Sequence, residues 1–217
     1  MQLPSNKRLI ICLWTLPISG VVAIGALFLR KFIVLPGNDL GEWAQMVTSS
    51  SYLTAQYIYI LAYILPFLGF WALYMYLSQH YLEKLAFWGL MGVILGTALP
   101  LTTLGVFSFA SPAIGDLYLQ GNTQSPQIIT KIAFGPSMAL AGLPGAFLYV
   151  GGCIAFGVAI WRSGVIPKWN GVLLALHGLF IAFGFGMPLL LVLSWVFLVT
   201  CGVWIISSIR KTTANIV

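Results

Sequence analysis

The residues in this chain suited to chemistry are few, and most of them sit in apolar surroundings. Tyr52, Gln56, Tyr59, Tyr63, Phe70 and Tyr74 recur at spacings of 3, 4 and 7. That period places them on one face of a helix. Phenol and amide groups are costly against lipid, so the face is expected to turn inward. It would then line a pocket for a flat or chain-like apolar ligand, such as an isoprenoid, a quinone or a lipid tail. The same stripe would equally serve as an aromatic core face. His177 lies within an apolar run. An intramembrane ionisable group is either a hydrogen-bonded structural residue or a proton-relay or substrate contact. His80, the other histidine, falls at the edge of its run, so the two do not match in depth as a haem-ligating pair would. No cofactor is expected. Asp39, Glu42 and Asp116 gather near one end of the apolar runs. A carboxylate pair there could act as a general acid on an isoprenoid or lipid. Asp116, Glu42 and His177 are therefore the catalytic candidates. Against this, Asp39 and Glu42 have capping-box spacing, and Asp116 fits a turn after Gly115.

Other signatures are missing. There is no G-x-x-x-x-G-K-[ST], H-E-x-x-H or G-x-S-x-G sequence. No acidic residue falls inside an apolar run, as ion-coupled transport usually requires. Cys12, Cys153 and Cys201 lie in apolar runs without C-x-x-C spacing. They read as small hydrophobes, not as a disulfide framework or metal site.

The elements that must carry these residues are apolar helices. Of 217 residues, 60% are hydrophobic and 6% charged. A soluble domain carries about 25% charged residues, so water cannot be the main solvent here. The net charge of +6 does not imply nucleic acid, because the basic residues flank apolar runs instead of forming a stripe. About 20 apolar residues cross a bilayer. Six stretches qualify, near 9–34, 53–77, 85–110, 138–161, 169–185 and 188–209, the fifth being the shortest. The apolar run 9–29 exceeds a signal-peptide core and no A-x-A pattern follows, so it reads as a retained helix.

Charge orients the spans. Lys7, Arg8, Lys84, Arg162, Lys168, Arg210 and Lys211 fall on one side, and Arg30, Lys31 and Lys131 on the other. The positive-inside rule then puts both termini in the cytoplasm of a bacterial inner membrane. Arg30 and Lys31 are expected to snorkel to lipid phosphates. Each longer outside loop is expected to hold a short interfacial helix. One covers 39–50, with Leu40, Trp43 and Val47 on its apolar face and Trp43 as anchor. The other covers 126–134, with Ser125 as N-cap. The whole is a single all-α transmembrane bundle.

Small residues supply the packing signal. Gly92 and Gly96 form G-x-x-x-G, Gly171, Ala175, Gly178, Ala182 and Gly186 form a stripe, and Ala141 and Gly145 continue the pattern. They serve either packing within one bundle or a face for a second copy or a membrane partner. Pro17, Pro66, Pro100 and Pro144 fall within four spans and should bend them, with Thr97, Thr102 and Thr103 near Pro100 to satisfy freed backbone.

Arg162, Ser163, Gly164, Pro167, Lys168 and Trp169 read R-S-G-V-I-P-K-W. This turn resembles one in a broad group of uncharacterised bacterial membrane proteins of six helices and similar length. The resemblance implies a six-helix fold over nearly the whole chain. The group has no established activity, so it assigns no functional residues. Residues and composition together point to a membrane bundle that binds an apolar small molecule, a lipid or a membrane partner. An intramembrane enzyme acting on an isoprenoid or lipid, and a small transporter or its accessory subunit, are the alternatives.

Overall fold

A computed structural model describes residues 6–31, 35–80, 82–184 and 187–214. The predicted end of the first span, the end of the fifth at Phe185, and Gly186 of the small-residue stripe lie outside them. Every regular element among the described residues is a helix: α1 Asn6–Leu13, α2 Thr15–Leu29, α3 Leu40–Val47, α4 Ser50–Ile64, α5 Pro66–Ser78, α6 Glu83–Leu119, α7 Pro126–Ala133, α8 Pro136–Ser163, α9 Trp169–Phe183 and α10 Pro188–Ala214. Five stretches are long and apolar enough to cross a membrane: Lys7–Leu29, Ser50–Ser78, Glu83–Leu119, Ala139–Ser163 and Pro188–Lys211. They point to a membrane protein. The apolar helix Trp169–Phe183 is shorter.

The helices close into a ring. The α1–α2 pair packs on α4 and α5, these on α6, α6 on α8, α8 on α9, α9 on α10, and α10 returns to α2. Outward faces carry Phe28, Leu61, Leu95, Phe147 and Val203, all exposed as lipid-facing residues would be. A cation–aromatic contact of 5.9 Å between Arg210 and Trp14 puts the end of α10 beside the α1–α2 junction.

Prolines act as chemistry requires at two of the sites. The first span breaks at Trp14, one turn before Pro17, and the second breaks at Leu65, directly before Pro66. α6 and α8 run through Pro100, Pro112 and Pro144 without ending. Pro100 deprives the Gly96 carbonyl of its usual donor. Thr97 and Thr102 do not replace it, because their hydroxyls donate to Val93 and Leu99.

Glycine seams hold the ring. A Cβ on Gly92 would lie 2.7 Å from the Gly152 Cα, one on Gly157 would lie 2.6 Å from the Gly171 carbonyl oxygen, and one on Gly178 would lie 2.6 Å from the Cys153 Cβ. Side chains there would push the helices apart, so glycine is what allows α6, α8 and α9 this approach. Gly92, Gly96, Gly145, Gly171 and Gly178 of the small-residue pattern are thus met by neighbours within the chain. Gly164 ends α8 in the left-handed conformation, φ +68°, that glycine adopts without strain. Two residues past Pro167 α9 begins, and the Pro167 carbonyl accepts from the Asn170 N–H.

Several expectations change. α6 has 37 residues and reaches about 55 Å at 1.5 Å per residue, well past the expected 85–110. Asp116 therefore lies within a helix, not in a turn. The extension has its own small core, in which Trp43, Ala44, Val47, Tyr52, Phe107, Ile114 and Ile129 pack together. Asp39 does cap α3, accepting the Glu42 N–H at 2.9 Å. Trp43 is only 1% exposed, so it anchors α3 to α6 and not to lipid. Ser125 does not cap α7, and its hydroxyl donates instead to the Ile114 carbonyl. Arg30 does not snorkel outward: it is 2% exposed and folds into the ring.

Candidate functional site

The site begins where α2 stops. Arg30 is the C-cap of α2, and Lys31 turns the chain with a positive φ of 50°. A cation suits the negative end of a helix. Here its side chain also reaches across to α4. Arg30 Nη1 donates to Gln56 Oε1 at 3.1 Å, and Gln56 Nε2 donates to the Tyr52 hydroxyl at 2.8 Å. The guanidinium carbon sits 4.3 Å from the centre of the Tyr59 ring, close enough for a cation–π attraction. One turn of α4 separates Tyr52, Gln56 and Tyr59, so the helical period itself builds this wall.

Deeper in the ring Tyr59, Tyr63 and Trp195 meet edge to face, with centroids 5.2, 6.2 and 5.3 Å apart. Behind them Tyr149 of α8 bonds to His177 Nε2 at 2.8 Å. His177 Nδ1 lies 2.9 Å from the Ser194 carbonyl and 2.8 Å from its hydroxyl, and that hydroxyl donates to the His177 carbonyl. A single proton assignment satisfies the set: the Tyr149 O–H donates to Nε2 and the Nδ1–H donates to Ser194, with the imidazole neutral.

Of these groups Arg30, Gln56, Tyr59, Tyr63 and Tyr149 border a cavity of about 430 Å³. Arg30, Gln56, Tyr59 and Tyr63 form one wall, and Gly96, Thr97, Pro100, Leu104 and Phe107 of α6 the next. Ala139, Gly142, Leu143, Ala146 and Tyr149 of α8 face them, with Phe134 and Gly135 at the α7–α8 link and Ile181 and Leu191 from α9 and α10. Phe134 and Leu143 are 71% and 58% exposed, so the cavity opens sideways, on the ring surface that lipid would cover.

No protein family, no curated protein and no solved structure matches the chain. The site must be read from its own geometry.

Of the sequence candidates, Gln56, Tyr59 and Tyr63 line the cavity. Tyr52 stands one hydrogen bond behind Gln56. Phe70 lies past the Pro66 break and stacks on Phe156 at 5.6 Å in the main core. Tyr74 is half-buried against that core. His177 is fully buried behind Tyr149 and does not line the cavity. Glu42 and Asp116 are exposed, on α3 and on the α6 extension, and neither lines it. His80 contacts the Tyr76 carbonyl at 2.9 Å. Among the described residues no three His, Cys, Asp or Glu side chains converge as metal ligands.

Sequence reasoning missed Arg30, Tyr149, Ser194 and Trp195. Arg30 beside Lys31 at the end of an apolar run has the pattern of a lipid anchor. The available signal was the amide of Gln56 and the phenol of Tyr52 at the matching end of the next span, which a cation could meet. Tyr149 was signalled by being the lone phenol in its span.

Proposed function

We propose that this chain is a six-span membrane protein that binds an apolar small molecule or lipid chain in the cavity between α4, α6, α8 and α10. The cavity carries the proposal. Its volume of about 430 Å³ falls in the usual range for ligand pockets, about 300–1,000 Å³. Its wall is mainly aromatic and aliphatic, with Arg30, Gln56, Thr97, Thr103 and three tyrosines as its polar groups. Among the described residues no carboxylate lines it, and the buried histidine has both ring nitrogens engaged. Those features favour binding over acid catalysis by Glu42 or Asp116.

Topology follows the same reading. α9 supplies the sixth crossing, and α3 and α7 lie at the outer interface, docked on the α6 extension. The positive-inside rule puts both termini in the cytoplasm of a bacterial plasma membrane. The resemblance of the Arg162–Trp169 turn to bacterial six-helix proteins favours the same count.

Filling the cavity tests the binding. A Cβ on Gly142 would meet nothing within 4 Å, so Gly142→Trp can project an indole into the space without breaking a seam. Purified wild type should retain a defined lipid or small molecule in native mass spectrometry and solvent extraction. Gly142→Trp and Ala146→Trp should lose it while keeping the wild-type elution profile and helical signal. Equal retention by wild type and both variants would place the ligand elsewhere and end the proposal.

A further inference from the structure

We infer that the cavity ligand is an amphiphile whose anionic head, a carboxylate or phosphate oxyanion, pairs with Arg30 while its apolar chain lies against α6 and α8. This rests on the reading of the cavity as a ligand site and adds the head-group chemistry.

The argument starts from the donors of Arg30. A guanidinium carries five N–H donors and keeps its charge in proteins. Arg30 is 2% exposed, and its one side-chain hydrogen bond among the described residues goes to the neutral amide of Gln56. Among the described residues Nε is buried with no acceptor. No carboxylate of the chain compensates the charge: Asp39, Glu42, Glu83 and Asp116 are all exposed, and none lines the cavity. A buried cation normally has a counter-charge, because desolvation is otherwise uncompensated. An arginine serving only the fold would find its acceptors in the protein. This one instead faces a cavity large enough for a ligand.

The surroundings fix the rest of the ligand. Arg30 stands at the end of α2 and lines the same cavity as Phe134 and Gly135 of the α7–α8 link. In the proposed topology the end of α2 is at the outer head-group level. Leu104, Leu143 and Ala146 also line the cavity and offer an acyl or isoprenyl chain apolar contact. Because the cavity opens sideways between Phe134 and Leu143, a lipid could enter from the bilayer with its head sliding along the interface. Two oxygens of a carboxylate or phosphate accept parallel bonds from a guanidinium, which a hydroxyl or ester cannot match. The oxyanion can come from a membrane phospholipid or from a free lipid acid or monophosphate.

The test compares a fluorescent polyene fatty acid with its methyl ester on the full-length protein in a neutral detergent. Wild type should bind the acid about tenfold to a hundredfold more tightly than the ester, the range expected of charge-assisted hydrogen bonds. Arg30→Gln should erase the difference. Arg30→Lys should keep part of the preference, since it retains the charge but not the fork. Extraction of wild type should yield an anionic lipid that Arg30→Gln loses, and the mass of the lipid identifies its source as phospholipid or free amphiphile. Equal affinity of wild type for acid and ester overturns the head-group inference without needing any variant to fold. If the ester then binds and Gly142→Trp blocks it, the cavity reading still stands. If neither probe binds and nothing co-purifies, both readings fall.

Discussion

Each polar atom of His177 has a specific partner, which makes this residue the most exacting in the bundle. Nε2 meets the Tyr149 hydroxyl, Nδ1 meets Ser194, and the His177 carbonyl takes the Ser194 hydroxyl. Removing the ring would strand buried groups on α8 and α10 at once. His177→Ala should therefore cost about 2–4 kcal/mol of stability in detergent, by combining an unsatisfied buried donor with a small cavity. Tyr149→Phe leaves only Nε2 without a donor and should cost about 1–2 kcal/mol. Thermal unfolding followed by circular dichroism measures both. A histidine that could be replaced without loss would mean that the network contributes nothing to holding α8, α9 and α10 together. At this scale the sequence was partly legible. The stripe from Gln56 to Tyr63 follows from helical period alone, and those residues do share the cavity wall. Phe70 has the same spacing yet stacks in the core, because spacing is a property of one unbroken helix and Pro66 ends that helix. Arg30 was illegible for a different reason. Whether a cation at a span end turns out or in depends on an acceptor from another helix, and no local pattern encodes it.

Between helices, backbone contact decides more than side-chain bulk. Adjacent glycines on α8 show how narrow the tolerance is. A Cβ on Gly152 would stand 2.5 Å from the Val93 nitrogen and 2.8 Å from the Gly89 oxygen, whereas one on Gly151 would meet nothing within 4 Å. Gly152→Ala must part α6 from α8 and should destabilise by about 1–3 kcal/mol, as overpacking does. Gly151→Ala, one residue away on an exposed face, should stay within about 0.5 kcal/mol of wild type. Comparing denaturation midpoints of the two variants isolates the seam from helix propensity, because both changes replace the same residue type in one helix. Comparable midpoints would show that the seam is not under packing constraint. Elements were the most legible level of the sequence. Apolar runs, the Asp39 cap and Gly164 gave helices close to their observed bounds, since these signals act within a few residues. The α6 extension was not legible. Its last turns, near Ser111 and Asp116, look like loop until α3 and α7 cover them, so they are helical through tertiary contact with Trp43, Val47 and Ile129.

The whole molecule turns on α9. Its 15 residues span about 22 Å, short of a hydrocarbon core of about 30 Å. Length alone would make it re-entrant and leave five crossings, with the termini on opposite sides. Its neighbours argue otherwise. α9 packs along both α8 and α10, with Gly171 against Gly157 near one end and Gly178 against Cys153 further along, so it runs beside a full-length span. The contact between Arg210 and Trp14 sets the end of α10 beside the first span, as the proposed six-span reading expects. Local thinning of the bilayer and interfacial residues such as Trp169, 65% exposed, accommodate a short helix at modest cost. Single cysteines in a Cys12→Ala background, probed with a membrane-impermeant maleimide on intact cells, decide the matter. Asn122→Cys, in the exposed link between α6 and α7, should label at once. Gln79→Cys and Lys211→Cys should label only after permeabilisation. If Lys211→Cys labels together with Asn122→Cys, α9 does not cross, the termini part, and the cavity near Ile181 and Leu191 has a re-entrant hairpin as its wall instead of a closed ring of spans.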